Sequence, residues 1–161
     1  MPLRTGAAFP SLQGATEWIN GPEPAPEELT SRPTLVHFWA VSCPLCHDNM
    51  PAVARWREQY GATGLRVVAV HMPREESDTD LSRVRSEAAA LGITEPCAVD
   101  NRHAIGERFE NSLWPAYYLF DADGALRARS GGYAGITMLE ARLAKLMESG
   151  DEANGTGSSQ K

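Results

Sequence analysis

Two cysteines carry the most specific chemistry in this chain. Cys43 and Cys46 stand two residues apart at the end of His37-Phe38-Trp39-Ala40-Val41-Ser42-Cys43-Pro44-Leu45-Cys46. Thiols at that spacing can close into a small disulfide ring and reopen when a thiolate attacks it, which is thiol–disulfide exchange. The flanking residues give the pair a direction. Thr34–Ala40 is apolar enough for a buried strand, and Pro44 suits the first turn of a helix, where its missing N–H costs nothing. A cysteine at that junction faces unpaired helix N–H groups and the positive end of the helix dipole, both of which stabilise a thiolate. Cys43 is therefore expected to attack, and Cys46, one turn further in, to resolve.

The same residues admit other chemistries. Cys43-Pro44-Leu45-Cys46-His47 also satisfies the C-x-x-C-H pattern of covalent haem attachment, which would further require an axial partner and a haem-attaching compartment. Cys43 and Cys46 with distant histidines could form a structural zinc module, although the chain offers no second close ligand pair. The third cysteine, Cys97, lies in a short apolar stretch and reads as a small hydrophobe. Its functional alternative is a peroxidatic or auxiliary resolving thiol. The redox pair needs no metal and no cofactor, and it is the reading carried forward.

The elements that must position the pair follow from periodicity. A first stretch, residues 1–33, is rich in Pro and Gly and wraps the core, with a short edge strand near Thr16–Asn20. The helix opened by Pro44 should run to about Tyr60, with Met50, Val53 and Trp56 on one face and a kink at Pro51. Leu65–His71 is a second apolar strand, and a helix over 78–91 follows, ended by Gly92. Pro96–Asp100 reads as a short strand and His103–Glu110 as a short helix. Ala116–Phe120 and Ala125–Arg129 form a hairpin across Asp121-Ala122-Asp123-Gly124. Thr137-Met138-Leu139-Glu140 resembles a capping box ahead of a final amphipathic helix. The order predicts an α/β domain, a central mixed sheet flanked by helices, over residues 1–148, with 149–161 as a disordered tail.

The 161 residues suit one domain, and a formal charge of −6 without a basic cluster argues against nucleic acid or an anionic membrane as partner. Met1–Leu12 lacks the apolar run of a signal peptide, so a cytoplasmic location is expected. In the cytosol a Cys-x-x-Cys pair is more often catalytic or metal-binding than a structural staple.

Trp39 four residues before Cys43, the Cys-Pro-Leu-Cys pair, Pro51, Trp114-Pro115 ahead of a strand and the Asp-Ala-Asp-Gly turn together resemble the thioredoxin-like superfamily, over roughly residues 5–148. The extra helix at 78–91 and Phe9-Pro10-x-Leu12-x-Gly14 are similar to its TlpA/ResA-like branch. His37-Phe38-Trp39, Val70-His71-Met72-Pro73-Arg74 and Phe109-Glu110-Asn111 through Pro115-Ala116-Tyr117-Tyr118 are similar to the YkuV-type thiol–disulfide oxidoreductases.

The resemblance implies a thioredoxin-like fold with an extra helix, and an enzyme that acts through a mixed disulfide on a protein or small-molecule disulfide. A separate thiol donor would restore it. Pro115 would be a cis proline facing the disulfide, where a trans proline at a strand start is the plain alternative. Trp39, Pro44, Leu45, Trp114 and Pro115 would meet the substrate. Many thioredoxins carry an acid where this chain has His37, and ResA-like proteins often carry a glutamate where it has Asn49. With neither acid present, His37 and Asp48 are the candidates to relay the proton of Cys46.

Overall fold

The computed structural model describes the backbone of residues 3–132 and 135–159, with side chains as far as residue 148. Six strands, β1 (Glu17–Ile19), β2 (Thr34–Trp39), β3 (Arg66–His71), β4 (Cys97–Val99), β5 (Ala116–Phe120) and β6 (Leu126–Gly131), form a sheet in the order β1-β4-β3-β2-β5-β6. β2, β3 and β4 run parallel, and β1, β5 and β6 join antiparallel at the two sides. The parallel pairs need long crossovers, which are α1 (Pro44–Tyr60) and α2 (Leu81–Ala90). α3 (Ala104–Arg108) and α4 (Gly135–Ser159) complete the helices.

The period of two along β2 separates the core into halves. Leu35 and Trp39 join Met50, Val53 and Trp56 of α1, Val84 and Ala88 of α2, and Leu139 and Leu143 of α4. Val36 and Phe38 face the other way, onto Ile105 of α3, Phe109 at its C-terminal end, Leu12 and Phe120. Edge-on ring contacts from Phe109 to Phe38, Tyr118 and Phe120 fix that second layer. Because β2 is buried along its whole length, it is a rigid platform for the residues that follow Trp39.

α1 continues through Pro51, which lies on its exposed side. α2 is introduced by a 3-10 turn, Glu76–Thr79, and capped by Asp80, whose carboxylate accepts the amides of Ser82 and Arg83. The expected cap at Thr137 is corrected: α4 begins at Gly135 and Thr137 lies within its first turn. The helix start packs close against β6, where a Cβ on Gly135 would stand 2.8 Å from Ser130 Oγ. That hydroxyl donates to the Gly135 carbonyl at 3.2 Å. The backbone of α4 is helical to Ser159, and the expected tail over 149–161 lies beyond the described side chains.

Candidate active site

β2 ends at Trp39, three residues turn the chain, and Cys43 becomes the N-cap of α1 with extended backbone angles, φ −105° and ψ 100°. Its amide donates to the Ala40 carbonyl at 3.1 Å. Its sulfur accepts the Cys46 N–H at 3.1 Å, the place that a serine or aspartate oxygen takes in an ordinary cap. Cys43 and Cys46 are joined as a disulfide with Cα atoms 5.3 Å apart, and both are buried. When the ring opens, the same amide is aimed at the Cys43 sulfur and favours its thiolate over the thiol.

The ring belongs to a core cluster against which Val41, Leu45 and Trp114 also pack. The Trp114–Pro115 bond is cis, and Pro115 is buried beside β5. Trp114 is half-buried against the cluster that contains both cysteines, and its indole N–H donates to the Met72 carbonyl at 2.6 Å. Pro44 is exposed and Leu45 half-buried. Leu113, 54% exposed, stands two residues before Pro115, and no periodic signal in the sequence singled it out. A Cβ on Gly131 would stand 3.0 Å from the Pro115 carbonyl and 3.1 Å from Leu113 Cδ1, so glycine keeps this corner closed. Trp39 does not belong to the rim. It is wholly buried, because it shares the inward face of β2 with Leu35, and it meets His71 edge-on at 4.7 Å.

The parity that buries Trp39 also turns His37 to the face that carries Cys46. The expectation of a site without a buried acid is corrected here. Glu95, 58 residues further on, places its carboxylate 2.5 Å from His37 Nε2. Its other oxygen accepts from Arg57 of α1 at 2.7 Å, and Arg57 also donates to the Gly92 carbonyl. Burial alone would raise the Glu95 carboxyl, but the hydrogen bond and charge of His37, with Arg57 behind, hold it below the usual carboxylate range. Glu95 is a carboxylate, so His37 Nε2 donates to it. Asp48, the other relay candidate, is exposed on α1. Asn49 lies beside the buried Tyr117 hydroxyl, whose pKa burial pushes up to about 12.

A second polar network surrounds the turn before Cys43. Val41 N–H donates to His71 Nε2 at 3.2 Å, and His47 Nε2 lies 3.0 Å from the Val41 carbonyl. Ser42 N–H and its hydroxyl donate to the two oxygens of Asp78 at 3.1 and 2.7 Å. Arg74 Nη1 donates to the Ser42 carbonyl at 2.8 Å. Burial lowers the His71 pKa to about 4, against the pull of Asp78, so the ring is neutral and able to accept from Val41. His47 is thus part of this turn, and its Nδ1 stands 3.6 Å from Glu87.

Cys97 is buried in β4 and has no disulfide partner. Burial, with Glu95 adding to it, pushes its thiol up to about 12, although Trp39 and a His71 backbone group oppose the shift. Such a thiol is no peroxidatic nucleophile at neutral pH. Among the described residues, no three or more His, Cys, Asp or Glu side chains gather as a metal site, and no helix is long and apolar enough to cross a membrane.

The Redoxin family profile matches residues 6–143. Thiol-disulfide oxidoreductase YkuV of Bacillus subtilis is 44% identical over 139 residues, covering 86% of this chain and 93% of that protein. Protein DipZ of Mycobacterium bovis is 36% identical over 148 residues, 90% of this chain but 21% of the longer protein. A solution structure of a thioredoxin-like protein in its oxidised form superposes with a TM-score of 0.83 at 42% identity, covering 91% of this chain and 99% of that one.

Proposed function

This chain belongs to the Redoxin family and is a thiol–disulfide oxidoreductase, and we propose that it acts as a reductant, passing two electrons from Cys43 and Cys46 to a disulfide in a protein substrate. The Cys43 thiolate attacks one substrate sulfur, the substrate S–S bond breaks, and the departing sulfur takes up a proton. Cys46 then gives up its proton and attacks the Cys43 sulfur. The mixed disulfide breaks, the second substrate thiol leaves, and the Cys43–Cys46 ring closes. A separate dithiol donor reopens the ring, and the cytosol, which keeps thiols reduced, suits that step. The observation that carries this reading is the ring itself, closed on the N-terminus of α1 with the Cys46 amide on the Cys43 sulfur.

The proton of Cys46 has an acceptor in His37. Nε2 is occupied by Glu95, so Nδ1 is the ring nitrogen left for the exchange, and the carboxylate behind the ring favours a proton held there. The rim of Pro44, Leu45, Leu113 and Trp114 gives an extended substrate segment an apolar bed.

Two measurements test the function. Cys46→Ser is expected to accumulate a mixed disulfide through Cys43 when mixed with a disulfide-bonded protein, and Cys43→Ser to accumulate none. Equal trapping by both, or trapping through Cys97, overturns the roles. Equilibration against glutathione is expected to give a reduction potential below about −220 mV, in the range of cytosolic reductants. A potential well above that makes the protein an oxidant.

A further inference from the structure

Val41 and Ser42 are the only link between Ala40, at the end of the buried strand, and Cys43. Their four backbone polar groups are each met by a side chain from elsewhere. His71 takes the Val41 amide, His47 the Val41 carbonyl, Asp78 the Ser42 amide and Arg74 the Ser42 carbonyl. Three of these side chains come from 71–78, the end of β3 and the stretch that follows it toward α2. Asp78 is the buried centre of the arrangement. Besides Ser42 it accepts the Arg74 amide at 3.0 Å and the Glu75 amide at 3.4 Å, so its position is fixed by its own segment. Those donors, with His71, hold its carboxyl below the usual range although burial alone would raise it.

We propose that Asp78 is a positioning residue for the exchange reaction, holding Ser42 so that the Cys43 sulfur stays over the Cys46 amide. The proposal rests on the reading of Cys43 as the attacking thiol. A hydrogen bond at 3.1 Å weakens steeply when its donor and acceptor separate or lose alignment, so a turn released at Ser42 lets the sulfur leave the amide that stabilises its thiolate. Charge alone would act in the opposite sense. A bare carboxylate near a thiolate destabilises it, but here the charge of Asp78 is met by the Ser42 hydroxyl and three amides. The sign of the effect on Cys43 therefore separates the two roles.

The test is the rate of Cys43 alkylation by iodoacetamide against pH in the reduced protein, with thermal unfolding in parallel. Asp78→Ala is expected to move the midpoint upward by about one pH unit, a tenfold loss of thiolate at a given pH below it. Asp78→Asn, which keeps an acceptor for the Ser42 amide, moves it less. A downward shift in both variants shows a carboxylate acting only through its charge and overturns the proposal, as does an unchanged midpoint in folded protein. Where Asp78→Ala does not fold, Ser42→Ala removes only the hydroxyl bond. It is expected to raise the midpoint by a smaller step, and no change overturns the proposal. Alkylation needs no disulfide substrate, so an Asp78 effect seen in the variants while the wild-type protein reduces no disulfide counts against the function and not against Asp78.

Discussion

The two polar networks flanking the disulfide differ in what they satisfy. Around the turn before Cys43, side chains bond to backbone groups of Val41 and Ser42 that are partly buried and need partners for the chain to fold there at all. On the inward face of β2, His37, Glu95 and Arg57 bond chiefly to one another, with Arg57 also donating to the Gly92 carbonyl. Folding does not demand this second set. Ions withdrawn from water pay a desolvation penalty that their mutual attraction often fails to offset, and well-packed apolar residues commonly do as well. In the reading proposed above, one network sets geometry, while the other keeps ionisable groups inside the protein for the proton of Cys46.

The largest expected effect breaks the ionic network. Glu95→Ala leaves the His37 Nε2–H and the Arg57 guanidinium without their buried acceptor, and should cost about 3–5 kcal/mol in denaturant unfolding. The paired replacement His37→Leu with Glu95→Leu removes the stranded His37 donor and leaves Arg57, partly exposed, to solvent and the Gly92 carbonyl, so it should recover part of that loss. If His37 takes the Cys46 proton, this folded pair of replacements should nonetheless release the mixed disulfide about a hundredfold more slowly near neutral pH, the lower end of general-base contributions, with the first attack nearly unchanged. Stopped-flow measurement of the two steps decides it. An unaltered release rate takes His37 out of the chemistry and leaves the network a structural relic of ion pairing.

Next in size is a pH effect that belongs to the turn. His71 titrates near 6.5 in the unfolded chain and at about 4 when buried, so below 6.5 the unfolded state binds the extra proton. Stability should therefore fall as pH drops from 6.5 to about 4, by on the order of 2–3 kcal/mol, and this contribution should level off below that. Glu95 and Asp78 are depressed carboxylates, and their stabilisation is complete above their unfolded values of 4.5 and 3.8 and is lost only below them. His71→Gln, which retains an acceptor for Val41, should flatten the slope between pH 6.5 and 4.5 in unfolding titrations. An unchanged slope assigns the proton uptake elsewhere.

What was legible in the sequence follows the range of the interactions. Strands β2, β3 and β5 and helix α1 were readable because their signals, apolar runs and a stripe every three to four residues, lie within a single element. Cys43 and Cys46 were readable from spacing, and Pro115 from resemblance. Glu95 and Asp78 were not, since each is an acid in a connecting segment whose partner is set by the sheet: residue 37 for one, 42 for the other. Nothing local distinguishes a buried acid in a loop from a solvated one. Trp39 was a different kind of miss. The alternation Leu35, His37, Trp39 already places its ring on the inward face, so its assignment to the substrate rim went against a signal that was present.

The smallest expected effect lies at the seam between the two networks. Cys97 lies in register with Ala69 of β3, itself in register with His37, and its sulfur feels Glu95 from one network and His71 from the other, with Trp39 also against it. Its thiol is raised to about 12, so it should resist alkylation in the folded protein at neutral pH and react only on unfolding. Cys97→Ala removes one buried sulfur and should cost about 1 kcal/mol, at the low end of core truncations, without altering either step of disulfide exchange. If the networks are independent, the stability losses of Glu95→Gln and Asp78→Asn should add within about 0.5 kcal/mol when combined, with Cys97 present or replaced. A coupling that exceeds this and vanishes in Cys97→Ala would show the two networks sensing one another through that sulfur. The division between a set that fixes geometry and a set that moves a proton would then fail at its one shared atom.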